Sequence, residues 1–222
     1  MATRFYPYPV SDDDPDVSPT VDSVWDEVAA LRRRKLVIDT AAGTELYEAR
    51  GDIDTVVAPA YYLLYQFVSE PLAAISATLP EAKAVFFTYE TNAKLDAYTH
   101  IVFRKCDGDG GNPTTIGSIA DDVEWDVEYL SRFAGASNIA DQSFSQGDRL
   151  IVEVGFFSDS TKANGYTGVL EIVSGWGVGD LPENDTTTPT IPYNTWIETG
   201  DTFTEASGEP AAIKLGPMFT FA

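Results

Sequence analysis

The stretch Arg149-Leu-Ile-Val-Glu-Val-Gly-Phe-Phe-Ser158 decides the fold class of this chain. Its apolar side chains recur at every second position: Leu150, Val152, Val154 and Phe156. Glu153 and Gly155 fall on the opposite face, and the turn residues Ser145-Gln-Gly-Asp148 come directly before the stretch. A period of two after a turn predicts a β-strand, and its apolar side is expected to face a core.

The same period recurs along much of the chain. Six further candidate strands cover residues 36–40, 61–69, 83–90, 95–105, 166–173 and 195–199. Each is bounded by Gly, Asn, Asp or Pro, which is typical of antiparallel sheets with one buried face. With 222 residues, 44% of them hydrophobic, the chain can fill one large core. We therefore predict an all-β fold, an antiparallel β-sandwich of which a jelly-roll-like arrangement is one form.

Two terminal segments differ from this central part, so the predicted organisation is an arm at 1–22, a sandwich at 23–200 and a tail at 201–222. Four prolines make the arm extended. It is expected to lie as a strand on its own domain or, less often, to reach a neighbouring subunit. The tail ends in the apolar stretch Ile213-Lys-Leu-Gly-Pro-Met-Phe-Thr-Phe221, which needs either its own sheet or another subunit as a partner. Between residues 22 and 34 the apolar spacing predicts a short helix.

The charge balance excludes several classes of partner. Thirty-five acidic residues against fourteen basic ones give a formal charge of −21, so the chain is expected to bind neither nucleic acid nor an anionic membrane. No signal peptide and no apolar run of about 18 residues is evident, which favours assembly in the cytoplasm and argues against a membrane span. The single cysteine, Cys106, precludes an intrachain disulfide.

One Gly-rich loop carries oxygen side chains at the spacing of a metal site. Asp107, Asp109 and Asn112 could supply three ligands to calcium. The loop lacks the Gly at its sixth position and the distal Glu of a helix–loop–helix calcium site. Asp, Gly and Asn are also the residues that hairpin turns use, so a plain turn is the favoured interpretation and calcium the alternative. No other cofactor is expected.

Aromatic residues near turns are the candidate ligand or interface positions. In β proteins they lie in the core or at interfaces more often than they stack on sugars. The candidates are Trp125, Trp176, Tyr193 and Trp196, together with Phe219 and Phe221 in the tail. Around Trp125, the acids Glu124, Asp126 and Glu128 alternate and could line a groove, although a solvated strand face is the more common outcome.

No catalytic motif stands out. His100 is the sole histidine and lies six residues before Cys106, but no third residue orients such a pair. Nucleophile elbows of the form G-x-S-x-G and phosphate-binding loops are both absent from the sequence. Two of the many acids could still pair across a groove, as in a glycoside hydrolase. The expected function is nevertheless not enzymatic.

Seven short segments stand in a characteristic order and spacing. They are Arg4-Phe-Tyr6, Val17-Ser-Pro-Thr-Val-Asp-Ser-Val-Trp25, Phe67-Val-Ser-Glu-Pro-Leu-Ala73, Gly147-Asp-Arg-Leu-Ile-Val-Glu-Val-Gly155, Tyr166-Thr-Gly168, Asp180-Leu-Pro-Glu183 and Asn194-Thr-Trp-Ile-Glu198. In this order they resemble a family of uncharacterised tailed-bacteriophage virion proteins. The resemblance covers about residues 4–199 and rests on order and spacing rather than on one motif. It implies a viral structural module with a β-sandwich and supplies no catalytic residues. The chain departs from the pattern at 104–140 and after Thr199.

The resemblance leads to an expected role. It is that of a virion structural protein, either a capsid decoration protein or part of the tail tip or fibre, assembled in the host cytoplasm. Its expected partners are other virion proteins and further copies of itself, with a trimer favoured. The alternative function is a carbohydrate- or receptor-binding module, calcium-assisted through the 107–112 loop, that takes a surface glycan.

Overall fold

The structure is a computed structural model that describes residues 2–8, 14–28, 31–38, 47–53, 59–160, 165–174, 179–188 and 193–206. Within these ranges the chain forms β-strands and no helix, so nothing described there could cross a membrane as a helix. The strands are β1 (Thr3–Pro7), β2 (Arg32–Val37), β3 (Tyr47–Ile53), β4 (Ala60–Ser69), β5 (Ile75–Glu90), β6 (Ala97–Cys106), β7 (Thr114–Glu124), β8 (Leu130–Phe144), β9 (Arg149–Ser158), β10 (Gly168–Ser174) and β11 (Trp196–Thr199).

The strands form two sheets that β1 joins into one curled surface. The first sheet has the order β3-β10-β5-β11-β1, with β8 paired to β5. The second has the order β1-β2-β4-β9-β6-β7. Thr3–Phe5 pairs with β11, whereas Tyr6 and Pro7 pair with β2. All pairs between these strands are antiparallel except β2 with β4, and the all-β sandwich predicted from the sequence is confirmed.

The core lies between the two sheets and is rich in aromatic side chains. Its largest fully buried members include Tyr62, Tyr65, Phe86, Phe103 and Phe156. Phe156 stacks on Tyr62 at a ring separation of 5.0 Å. Because every buried aromatic ring removes a large apolar area from water, this layer is the main source of the stability of the sandwich.

Residues 14–28, here called the strap, cover the outer face of the second sheet. Trp25 of the strap packs with Leu63 and Val102 in a separate apolar cluster. The Trp25 indole Nε1 donates to Glu153 at 2.7 Å, and Arg149 pairs with Asp16 at 3.0 Å. The strap explains why β9 is buried on both faces, and why Glu153 has no exposed surface although its phase puts it opposite the core.

The short helix predicted for residues 22–34 is wrong for the part of this range that the structure describes. Glu27 pairs with Tyr62 as an isolated bridge, and the Leu63 amide donates to the Glu27 carbonyl. Strand β2 then begins at Arg32 and runs parallel to β4. Backbone pairing with β4 outweighs the local helical spacing, because propensity is a weak term beside tertiary contacts.

Both chain ends contribute to the fold. Within the predicted arm, Thr3–Pro7 is a strand of the protein's own sheets, and residues 14–22 belong to the strap. At the other end, Leu72 pairs with Glu205, and the Ala206 amide donates to the Pro71 carbonyl. Residues 207–222, which include the apolar stretch 213–221 of the predicted tail, lie outside the described residues.

Candidate functional site

A buried glutamate lies at the end of β5. Glu90 is 1% exposed, and its Oε2 accepts a hydrogen bond from the Ala97 amide at 3.2 Å. Its Oε1 has no hydrogen-bond partner in the described part of the chain. Burial is the main cause that raises the pKa of Glu90, the carboxylates of Glu124 and Asp96 add to the rise, and the Ala97 amide opposes it, so the pKa is about 7.

Three chain segments meet around this carboxyl group. The Glu90 amide donates to the Asp126 carbonyl at 2.9 Å, and the Trp125 amide donates to the Ala97 carbonyl at 2.8 Å. These bonds hold the residues after β7 against the start of β6. Asp96, just before β6, adopts a φ of 50°, a left-handed conformation that Asp tolerates better than most residues. The backbone thus brings Glu124 and Asp126 beside Glu90.

A cleft of about 190 Å³ opens beside these acids. Its lining residues are Thr88, Val123, Glu124, Asp126, Leu130, Ser131, Arg132 and Asp185. The one basic residue among them, Arg132, donates twice to Asp121, at 3.0 and 2.9 Å, and once to the Val123 carbonyl. It also pairs with Asp185 at 3.1 Å. We call this cleft, together with Glu90 and Asp96, the acidic cleft.

The electrostatic environment of the acidic cleft is negative. Burial raises the pKa of Glu124, and the charges of Asp96 and Asp126 add to that rise. Burial also raises the pKa of Tyr98, with further contributions from Glu124 and Asp96. Every charged neighbour that shifts these groups is an acid, so a cation placed here would relieve repulsion among the carboxylates.

The chemistry available to the acidic cleft follows from these groups. Glu90 exchanges a proton near neutral pH, while its neighbours accept hydrogen bonds from an incoming donor. Within the described ranges, no group of three His, Cys, Asp or Glu residues is placed to hold a metal ion. Ionised carboxylates act only as hydrogen-bond acceptors, so the exposed acids here can accept from N–H or O–H donors.

Sequence reasoning found part of this site. Glu124 and Asp126 were candidates for a groove, although a solvated face was favoured, and the structure places both on the cleft. Glu128 is exposed and donates its amide to Asp126 at 3.0 Å. Glu90 and Asp96 were missed. The alternation along β5 could have revealed Glu90. Side chains two residues apart share a face of a strand, and Glu90 shares its face with the buried Phe86 and Thr88.

The predicted aromatic positions lie away from the acidic cleft or inside the core. Trp125 is buried, donates its Nε1 to Thr99 at 2.8 Å and packs on Phe156. Trp196 is also buried, with the Arg4 guanidinium 4.1 Å from its ring centre. Neither indole presents a face to a sugar. Tyr193 is partly buried against the same cluster as Trp196. Three further candidates lie outside the described residues: Trp176, Phe219 and Phe221.

The loop predicted as a calcium site forms a turn with internal hydrogen bonds. The Asn112 amide group donates to Asp107 at 2.7 Å, and the Gly111 backbone amide donates to Asp109 at 2.8 Å. Asn112 has a φ of 48°, which suits a turn residue. Two of the three predicted ligands thus accept bonds within the loop, and calcium binding stays a prediction.

His100 and Cys106 do not form a catalytic pair. His100 lies beneath the strap, with ring contacts to Trp25 at 5.3 Å and Tyr61 at 4.8 Å. Burial lowers the pKa of His100 to about 4 and raises the pKa of the Cys106 thiol to about 11. A buried thiol that stays protonated is a poor nucleophile.

Comparison with known proteins leaves the family of this chain open. No family model matches the chain, and no curated protein matches it. Among solved structures it is similar to an aminopeptidase from the marine sediment archaeon Thaumarchaeota archaeon, with a TM-score of 0.48 and 12% sequence identity. The match covers 92% of this chain and 37% of the aminopeptidase chain, so this chain spans little more than a third of that protein.

Proposed function

We propose that this chain is a non-enzymatic structural protein of a tailed-bacteriophage virion, acting through protein–protein contacts as a capsid decoration protein or a tail tip or fibre component. The order and spacing of the segments between residues 4 and 199 support the virion assignment. The arrangement of the chain ends supports the mode of action.

The observation that supports the mode of action is how the last described residues, 201–206, are held against the sandwich. The Phe203 amide donates to Thr3 Oγ1 at 2.8 Å, and the Thr3 amide donates to the Asp201 carbonyl at 3.0 Å. The Phe203 ring packs on Phe5 and Phe144, so it occupies the core at this end. The sequence carries a further apolar stretch at residues 213–221, although Phe203 already fills the core at this end of the sandwich. Such a segment is suited to a surface on another subunit.

The distribution of charge agrees with a protein that binds other proteins rather than DNA. The described basic side chains with ion-pair partners in the chain are Arg4, Arg32, Arg34, Lys35, Lys83, Arg104, Lys105, Arg132 and Arg149. These ion pairs occupy the basic side chains that would otherwise be available to bind the phosphates of a nucleic acid. The excess of acids leaves a negative exterior, which keeps particles dispersed and favours partners with basic faces.

Three experiments test the proposal. Mass spectrometry of purified particles should detect the chain, and light scattering of the full-length protein should give the mass of a trimer.

A Phe219→Ala, Phe221→Ala double variant should keep its circular dichroism spectrum but co-sediment with particles roughly ten-fold less than the unchanged protein, since two aromatic anchors are lost. Val127→Ala, at a position 52% exposed on the sandwich, is the matched control. A chain absent from particles and without affinity for them would rule the proposal out.

Two of the aromatic candidates for stacking on a sugar do not support the alternative of a carbohydrate-binding module. Trp125 and Trp196 are both buried within this chain, while Trp176 lies outside the described residues. A glycan array, run with and without a chelator, distinguishes this alternative from the virion proposal.

A further inference from the structure

We propose that the strap is a lid that opens on acidification, because its opening lets His100 take up a proton. This inference concerns the outer face of the second sheet, which the virion proposal does not use. It therefore holds or fails separately from that proposal.

The attachment of the strap to the sheet allows it to open without unfolding of the sandwich. Among the described residues, backbone-to-backbone bonds join the two only at residues 26–27. The Asp26 and Glu27 amides donate to the Tyr61 carbonyl, at 3.0 and 3.1 Å, and the Leu63 amide donates to the Glu27 carbonyl. The rest of the strap is held through side chains, as at Asp16, which is 69% exposed at its side chain. Such a segment can separate without breaking a strand ladder, so its opening is expected to cost less than global unfolding.

His100 lies between the strap and the sheet. Its side of β6 is covered by the strap, and the residue is 6% exposed. The Trp25 ring of the strap is 5.3 Å from the imidazole, and the Tyr61 ring of β4 is 4.8 Å from it. In the part of the chain that the structure describes, the buried Nε2 of His100 has no hydrogen-bond partner. The ring is therefore enclosed mainly by other rings, which favours its neutral form.

A protonated His100 would lack an acceptor while the strap is closed. Protonation makes both ring nitrogens donors. Asp22 is the acid of the strap that acts on His100, but its Oδ1 accepts from the Val24 amide at 2.9 Å. Its Oδ2 accepts from the Thr115 hydroxyl and pairs with Arg104 at 3.5 Å. A closed strap would thus bury a charge and an unpaired N–H, whereas opening exposes both to water.

The pKa of His100 agrees with this geometry. Burial lowers it to about 4 against the opposing effect of Asp22, and a ring exposed by opening has the ordinary value of 6.5. The open state binds more protons between these two values, so opening becomes more favourable as pH falls through this interval.

Other groups near His100 do not account for opening in the same interval. The titratable and charged groups on the elements packed around the ring are Asp22 and Asp26 of the strap, Tyr61 of β4, Arg104 of β6, Asp122 of β7 and Glu153 of β9. Burial raises the pKa of Asp22, but the hydrogen bonds from Thr115 and the Val24 amide outweigh it, and the result lies below the ordinary value of 3.8. Protonation of Asp22 therefore favours opening only at lower pH.

The indole N–H groups of the full-length protein report the opening directly. Trp25 Nε1 donates to Glu153 at the strap contact, and Trp125 Nε1 donates to Thr99 in the core. Hydrogen exchange of each group, followed by NMR and referenced to Nα-acetyl-tryptophanamide at the same pH, gives an opening constant. Between pH 7.5 and pH 5 the constant at Trp25 should rise about 25-fold, since the open ring gains a proton and the closed ring does not. It should exceed the constant at Trp125 throughout.

Variants separate the titrating group from the anchors of the strap. His100→Phe keeps a ring against Trp25 and should remove the rise, and His100→Gln, a second variant without a titrating group, should do the same. Asp16→Asn weakens the ion pair with Arg149 and should increase opening at every pH while the rise of about 25-fold remains. Glu128→Gln, at an exposed position, should behave as the unchanged protein does.

Three outcomes would overturn the proposal. Equal opening constants at Trp25 and Trp125 would show that the strap does not open separately from the fold. A change of less than about three-fold between pH 7.5 and pH 5 would show that opening is not coupled to a proton. A rise that persists in both His100 variants would assign the proton to another group. Since none of these measurements involves particles, they leave the virion proposal untouched.

Discussion

Glu153 and Glu90 are two buried glutamates in the same sandwich, and their surroundings differ in almost every other respect. Glu153 accepts hydrogen bonds from Trp25 at 2.7 Å, Arg104 at 2.9 Å and Gln66 at 3.0 Å. It also accepts from the backbone amide of Asp22. Glu90 accepts one bond, at 3.2 Å, from the Ala97 amide, and its nearest charged neighbours are acids.

The comparison shows that burial alone does not assign a role to a carboxyl group. Glu153 lies at the centre of a complete donor set, and its bonds hold the strap against the second sheet. Glu90 is buried beside acidic neighbours, and its Oε1 lacks a hydrogen-bond partner in the described part of the chain. A buried carboxylate with a full set of hydrogen-bond donors stabilises the fold. A buried carboxyl group without such donors has a raised pKa and can take up or release a proton near neutral pH. The following predictions test that distinction.

Glu153→Gln should have the largest effect on stability. The amide removes the negative charge beside Arg104, which is 6% exposed, and one acceptor oxygen becomes a donor facing other donors. Breaking such a buried pair costs about 3–5 kcal/mol of unfolding free energy. Urea unfolding measures the loss, and the Trp25 fluorescence should shift as the strap loosens. Glu128→Gln, at an exposed position, is the control; a loss below about 1 kcal/mol in Glu153→Gln would contradict the structural role.

Glu90→Gln should instead change how stability depends on pH. The pKa of Glu90 is about 7 in the folded protein against an ordinary value of 4.5, so the folded state binds more protons between these values. The contribution of this group therefore falls as pH rises from 4.5 to 7, by about 3 kcal/mol in total. Urea unfolding at intervals from pH 5 to 8 should show that Glu90→Gln lacks this decline. Parallel curves for the two proteins would contradict the assignment.

His100→Phe should reveal the opposite slope in an overlapping pH interval. The pKa of His100 is lowered to about 4 from an ordinary value of 6.5, so the unfolded chain binds more protons between them. Its contribution is complete above pH 6.5 and is lost as pH falls towards 4, again by about 3 kcal/mol. Phenylalanine keeps a ring against Trp25 and Tyr61. Relative to the unchanged protein, the variant should gain stability as pH falls, whereas Glu90→Gln should gain it as pH rises; a constant difference would show that His100 does not titrate.

The sequence predicted the strands that carry a strong period of two, and missed those that do not. Residues 149–158 and 61–69 correspond to β9 and β4 almost residue for residue. Strand β7 was missed because most of its side chains are exposed and few are apolar. Most of β2 was also missed, because the apolar spacing before residue 34 predicted a helix. The strand forms by pairing with β4, which lies some thirty residues further along the chain.

The candidate site was less predictable than the fold, for a physical reason. Glu124 and Asp126 could be proposed because they are near each other in the sequence. Their closeness to Glu90 depends on the hydrogen bond from the Glu90 amide to the Asp126 carbonyl, which no local sequence pattern predicts. The strap over Glu153 is equally non-local, since the Asp22 and Trp25 donors lie more than a hundred residues before their acceptor.

The smallest expected effect belongs to the loop at residues 107–112, where partners are local and solvent-exposed. Asp109→Ala removes the bond from the Gly111 amide, which water can replace, so the unfolding free energy should fall by about 0.5 kcal/mol. Urea unfolding measures this change, and a calcium titration of the melting temperature accompanies it. A rise with calcium in the unchanged protein that Asp109→Ala abolishes would establish the metal site expected from the sequence. Such a result would add a third kind of carboxylate to the comparison of Glu153 with Glu90. These carboxylates lie at the surface, and their partner is a metal ion rather than a hydrogen-bond donor of the protein.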